Sequence, residues 1–222
     1  MMLRLVLLGG IATLVGAGVQ PSTVLEARFI GNMSWAISDG AFTLMTDFPY
    51  DSGAIRGYMT YDASQVQSST SDTLSLITHR HRDHWSPALF SKTDWKVVGP
   101  TDATAGLAAD RVVALAVRFP HGPLVIDPIE TPHANLGHYS YVVRWHGRRL
   151  YFSGDTESPA HLIGLKALDV AFVSPWMHRA VLKGGSRIDA KRLIIHHHMP
   201  GELVPDCRDG CYLPRQGETL RF

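Results

Sequence analysis

Apolar residues recur at alternate positions in short runs along most of this chain, and Gly, Pro, Asp and Asn punctuate the gaps between them. The alternation predicts strands at Glu26–Ile30, Trp35–Ser38, Phe42–Thr46, Leu74–Thr78, Lys96–Val98 and Val112–Val117. It predicts further strands at Leu124–Ile126, Tyr139–Trp145, Arg149–Ser153, Val170–Val173 and Leu193–Ile195. Helical spacing fits Pro87–Phe90, Thr101–Ala109, Pro159–Ala167 and Ile188–Leu193. Strands dominate and short helices are interspersed, which points to an α+β chain of two packed sheets with helices outside.

Several of these runs end in residues with ligand chemistry. Thr73 to Thr78 alternates polar and apolar side chains and leads into His79-Arg80-His81-Arg82-Asp83-His84. Residues two apart in an extended segment point the same way, so His79 and His81 can grip one ion, while the following turn swings Asp83 and His84 toward a second. Thr131-Pro132-His133, Ser153-Gly154-Asp155-Thr156 and His196-His197-His198-Met199-Pro200 also stand just past apolar runs. Imidazoles and carboxylates without thiolate suit zinc, with manganese and iron as the alternatives.

The order His-x-His-x-Asp-His, His, Asp, His resembles the metal-ligand series of the metallo-β-lactamase superfamily, over roughly residues 25 to 200. Within it the chain looks most like the stand-alone hydrolases that include ascorbate-6-phosphate lactonase. The resemblance implies a four-layer αββα sandwich of two mixed sheets with the metals at one edge. It implies two divalent ions: His79, His81 and His133 on the first, Asp83, His84 and a final histidine on the second, Asp155 bridging them. His197 is the preferred final ligand because it is fifth from Leu193, where the family's strand-end histidine falls; His198 is second and His196 third. Asp83 and Asp155 are then catalytic as well as ligating. Such a bridge holds ions roughly 3.5–4 Å apart and acidifies a water between them toward a pKa of about 7, giving a hydroxide that attacks an ester, lactone or phosphodiester. Zinc β-lactamases usually carry Cys or His where this chain has Asp155, which argues against an antibiotic substrate. The competing classes are a di-iron oxidoreductase, whose flavodiiron examples commonly carry Glu in place of His81, and a secreted metal-binding protein without turnover.

Other side chains enter as candidates around this centre. Thr78, Thr131 and Thr156 can fix imidazole tautomers, and Asp47, at the end of the run Ala41 to Thr46, can orient a ligand histidine or cap its own turn. Tyr50, Tyr58 and Tyr61 lie in a Gly- and Asp-rich segment that could overhang the metals or pack against the sandwich. His178 and Tyr139 are candidate substrate contacts, with His138 and Trp176 beside them. His121, His146 and His161 are expected on turns or a helix surface.

Residues 1–20 carry one Arg, an apolar stretch from Leu5 to Val15 and a Gly16-Ala17-Gly18 end, which resembles a secretory signal peptide with an amino-terminal anchor or a buried strand as alternatives. Residues 21–222 are expected to form one domain, with its core at about 25–200 and a tail at 201–222. Export to the periplasm or beyond, with no membrane span in the mature protein, is the expectation. Cys207 and Cys211 can pair there or stay free. The formal net charge of +1 shows no basic stripe along the sequence, so the expected partner is a small-molecule substrate and not nucleic acid.

Overall fold

The computed structural model describes residues 23–62, 66, 72–204, 207 and 210–222; the expected signal peptide at 1–20 lies outside them. The first six strands are β1 (Glu26–Gly31), β2 (Ser34–Ser38), β3 (Phe42–Thr46), β4 (Asp72–Leu76), β5 (Lys96–Val98) and β6 (Phe119–His121). They are followed by β7 (Leu124–Glu130), β8 (Tyr139–Trp145), β9 (Arg148–Phe152), β10 (Leu168–Val173), β11 (Ala190–Ile195), β12 (Cys211–Tyr212) and β13 (Thr219–Arg221). Among the described residues four short α-helices intervene: α1 (Pro87–Phe90), α2 (Thr101–Thr104), α3 (Ala160–Gly164) and α4 (Pro175–Lys183).

The strands form two mixed sheets, ordered β13-β1-β2-β3-β4-β5 and β12-β11-β10-β9-β8-β7-β6. Strand alternation decides which side chains fill which layer. On β10, Val170 and Phe172 enter the core between the sheets, while Ala171 and Val173 face outward under α3 and α4 with Leu162, Met177 and Val181. On the first sheet, Leu74 and Leu76 point inward, and Met45 and Val97 face outward beneath Phe90 of α1 and Ala103 of α2. The result is the four-layer αββα sandwich, an α+β fold. Trp35 ties the sheets together, its ring 4.8 Å from Phe29 and 4.9 Å from Phe172. Truncating such a buried indole costs about 3–5 kcal/mol.

Four sequence expectations need correction. Residues 112–117 are not a strand: a bridge joins Val112 to Val97, and the rest passes from edge strand β5 to edge strand β6 without a ladder. Their alternation is real, because Val113 and Leu115 pack against the central core, but it seals the side of the sandwich and leaves Val117 92% exposed. The helix expected at Ile188–Leu193 is instead β11, parallel to β10, whose ladder overrides a weak local preference. The expected helix Pro87–Phe90 stands as α1, those at Thr101–Ala109 and Pro159–Ala167 shorten to α2 and α3, and α4, capped by Ser174 Oγ accepting from Met177 N, was not anticipated. Lastly, the tail belongs to the fold: β13 pairs with β1 and β12 with β11, adding an edge to each sheet. Cys207 and Cys211 form a disulfide with Cα atoms 5.3 Å apart.

Strand direction fixes where chemistry can sit. β3, β4 and β5 run parallel in one sheet, and β9 to β12 run parallel in the other. Their carboxyl ends open on one edge of the sandwich, the position where open α/β sheets place their sites.

Candidate metal centre

Five loops converge at that edge. The loop after β4 brings His79, His81, Asp83 and His84; the loops after β7, β9 and β11 bring His133, Asp155 and His197; β3 ends beside them at Asp47. The side chains fall into two groups, His79, His81, His133 and Asp155 in one and Asp83, His84 and His197 in the other. All seven ligands expected from the sequence are therefore brought together.

In the first group His79 Nε2 lies 2.9 Å from His81 Nδ1, and His133 Nε2 lies 3.4 Å from the same atom. In the second, His84 Nε2 and His197 Nε2 are 3.1 Å apart, with Asp83 Oδ2 at 3.7 and 3.5 Å from them. Asp155 stands between: Oδ2 is 3.3 Å from His84 Nε2 and 3.9 Å from His79 Nε2, and Oδ1 is 3.4 Å from His197 Nε2.

These contacts fit a cation better than hydrogen bonds. Ligands about 2.0–2.1 Å from a tetrahedral ion lie roughly 3.3–3.4 Å from one another, the middle of the 2.9–3.9 Å spread of these nitrogen and oxygen pairs. Asp155 Oδ1 is buried and accepts no hydrogen bond, leaving a lone pair aimed at the centre. The donor set fits a divalent ion in each group.

The rear of the site fixes the imidazoles. His84 Nδ1 donates to Asp47 Oδ2 at 3.1 Å, which leaves its Nε2 lone pair facing the centre. Thr78 donates to Asp47 through its backbone N–H at 2.7 Å and its hydroxyl at 2.9 Å, and the hydroxyl oxygen then accepts from His79 Nδ1 at 3.1 Å. One carboxylate thus orients a histidine in each group, and Asp47 also sits at φ 43°, the turn position of its alternative reading. Thr131 serves a different residue: it pairs with His138 Nδ1 at 2.7 Å, and His138 Nε2 accepts the backbone N–H of Asp155 at 2.9 Å. Burial pushes His138 down to about 3, keeping it a neutral acceptor. Gly154 has φ 58°, and a Cβ there would come within 2.4 Å of His138 Nε2, so glycine is required next to Asp155. Thr156 Oγ1 accepts from Ser158 N and belongs to its own turn.

Electrostatics separates the groups. Burial and the neighbouring His84 push His79 far below the ordinary imidazole value, and burial lowers His133. Burial opposes protonation of His84 and His197 as well, but Asp155, with Asp47 at His84 and Asp83 at His197, outweighs it and raises both. The same partners outweigh the burial of Asp155 and Asp83 and hold both carboxyls below their usual range.

The histidine triplet resolves by strand alternation. His196 shares the inward face of Ile194, and Trp35 Nε1 donates to its Nδ1 at 3.2 Å. His197 then breaks the strand at φ 57° and turns into the second group, while His198 Nε2 donates to Pro214 O at 3.1 Å. Of the tyrosines, Tyr58 meets the site, its ring 4.7 Å from His197; Tyr50 donates to Met59 O, and Tyr61 to Tyr50 O, away from it. Tyr139 packs partly buried against the central core and His178 is buried on α4. Trp176, a lesser candidate, meets His197 at 5.0 Å and donates from Nε1 to Asp155 O at 3.1 Å. The role of His138 beneath Asp155 was missed, since only the fold shows that it points inward.

The chain is 30% identical over 167 residues to the UPF0173 metal-dependent hydrolase of Deinococcus radiodurans, covering 68% of this chain and 71% of the relative. It belongs to the UPF0173 metal-dependent hydrolase family. No family model matches the chain. Igni18, a metallo hydrolase of Ignicoccus hospitalis, superposes with a TM-score of 0.69 at 17% identity, over 90% of this chain and 98% of that one. The metallo-β-lactamase fold protein YhfI of Bacillus subtilis gives 0.64 at 12% identity, over 90% of this chain and 100% of that one. The chain is thus a metal-dependent hydrolase with the metallo-β-lactamase fold, and its histidine clusters stand at the edge that the parallel strands define.

Proposed function

We propose that this hydrolase works with two divalent ions, zinc first among them, on an ester, lactone or phosphodiester, and that it is exported. The observation that carries the dinuclear reading is Asp155, whose two carboxylate oxygens reach both clusters. His79, His81 and His133 would hold one ion, Asp83, His84 and His197 the other, with Asp155 shared. When bound, such ions act as Lewis acids and bring a coordinated water toward a pKa of about 7.

The rest of the chemistry belongs to the chain. Asp47 and Thr78 keep protons on Nδ1 of His84 and His79, so that both Nε2 atoms stay free to ligate. His138 and Trp176 hold the Asp155 peptide from its N–H and its C=O, which fixes the shared carboxylate against a change of charge at the site. Tyr58 and Trp176 flank His197 with half-buried rings and supply an apolar wall against which a substrate can exclude water.

Elemental analysis of purified protein, joined to a panel of esters, lactones and phosphodiesters, tests this reading. Two equivalents of zinc and turnover within the panel are the expected result. One equivalent at full activity would refute the shared carboxylate, and two equivalents without turnover would favour a metal-binding protein.

A further inference from the structure

At the end of the sandwich opposite the histidine clusters, the fold collects charge that the linear sequence scatters. β9, β10 and β11 all begin there, because they are parallel and their carboxyl ends lead to the clusters. The start of β9 brings Arg148 and Arg149, and the approach to β10 brings Lys166. The end of α4 and the loop after it add Lys183 and Arg187, and the start of β11 adds Lys191 and Arg192. Asp169 and Asp189 are the acidic residues of these same segments, so seven cations stand against two carboxylates.

Little of this charge is neutralised. Among the described residues one of the seven, Lys191, is in an ion pair, with Asp169 at 2.7 Å. Lys166, Lys183 and Arg187 are exposed. The first sheet adds Glu26, Asp39 and Asp72 at this end, Glu26 paired with Arg221 at 2.7 Å and Asp39 with His146 at 2.8 Å, so the excess of positive charge lies at the strand starts of the second sheet and on α4. Apolar surface accompanies the cations: Leu182, beside Lys183, is 37% exposed, and Val24 is 42% exposed.

The point of chain entry is a second, independent observation. Arg148 Nη1 donates to Thr23 O at 2.7 Å, so Thr23, where the described part of the domain starts, lies at this same end. Ahead of Thr23 in the sequence, Leu5 to Val15 is apolar and uncharged. Exposed lysine and arginine interspersed with apolar side chains suit the headgroup region of a bilayer, where a weak apolar attachment becomes stable when joined to a basic patch.

We propose that this end of the domain docks on an anionic phospholipid surface and turns the histidine clusters toward solvent. The proposal does not depend on which bond the enzyme cleaves.

Co-sedimentation of the full chain with phosphatidylcholine vesicles, and with vesicles containing roughly one third phosphatidylglycerol, tests it. Partition onto the anionic vesicles should be at least about tenfold stronger and should fall steeply as salt shortens the Debye length. The triple variant Lys166→Glu, Lys183→Glu, Arg187→Glu should return binding to the level of neutral vesicles, with metal content and thermal melting unchanged. Should it fail to fold, the glutamine version of the same triple should lose most of the anionic preference. Equal partition onto both vesicle types would overturn the proposal, as would a folded triple variant that binds like the parent. Displacement from the vesicles by a short nucleic acid at matched phosphate concentration would overturn it too, by showing a general polyanion site.

Discussion

The two histidine clusters share Asp155 yet differ in how they meet a cation. In the first, three imidazoles converge, two of them half-buried, and burial holds His79 and His133 neutral. In the second, two imidazoles and a carboxylate are buried, and Asp155, Asp47 and Asp83 favour the protonated state of His84 and His197. The first cluster is ready for an ion at neutral pH. The second must give up protons to take one, so its carboxylates attract the ion and the competing protons alike.

The largest break in this comparison is Asp155→Ala, which removes the one side chain common to both clusters. Metal should be lost from both and hydrolysis should fall by more than the 10–100-fold that an outer partner costs, while the fold stays intact because the residue lies at a loop rather than in the core. Metal stoichiometry and circular dichroism measured on the same sample check this. Retained stoichiometry with full activity would end the bridging argument.

Acidification should then separate the clusters. A group with a raised pKa keeps its proton to higher pH, so His84 and His197 compete with an ion above the pH at which an ordinary imidazole would. His79 and His133 are lowered and remain free of protons through the same window. As pH falls through the range where these two raised imidazoles take up protons, the metal content should fall from two equivalents toward one, with the second cluster's affinity falling by up to about 100-fold per pH unit if two protons are taken up. Dialysis at stepped pH followed by elemental analysis reads this directly. Simultaneous loss of both ions would contradict it.

Asp47→Asn should have a smaller, graded effect. Asp47 touches His84 directly and reaches His79 only through Thr78, so the variant should weaken the second cluster by about 10–100-fold and the first by less. Competition with a chromogenic chelator can resolve two such affinities.

What the sequence made legible follows from the kind of interaction involved. His79, His81, Asp83 and His84 could be found because strand periodicity and the turn after it are local, and His133, Asp155 and His197 because each stands just past a strand end. His138 could not, since its partner Asp155 lies seventeen residues away and no pattern marks an inward-facing imidazole beneath a loop. Edge strands β12 and β13 escaped for a similar reason: two or three residues paired with a strand far away in sequence carry no periodicity of their own. The strand expected at Val112–Val117 shows the converse, apolar alternation used to seal a side with no ladder to join. The basic end was invisible because its cations come from three separate connections.

The smallest effect distinguishes the neighbours His197 and His198. They are adjacent in sequence, but the left-handed backbone at His197 sends their side chains to different places, one into the second cluster and the other to the carbonyl of Pro214. His198→Ala should leave metal stoichiometry and the pH at which the second ion is lost unchanged. It should lower stability by about 1 kcal/mol, the worth of one hydrogen bond, because Pro214 O loses its donor where the tail returns toward β13. His197→Ala should abolish the second equivalent of metal and also lower the melting temperature of the metal-free protein, most at acidic pH, since Asp155 and Asp83 outweigh the burial of its protonated ring and lose that partner in the variant. A loss of the second ion in the His198 variant, with His197 intact, would mean that the backbone turn delivers the wrong imidazole and that the two clusters do not differ in the way the protons indicate.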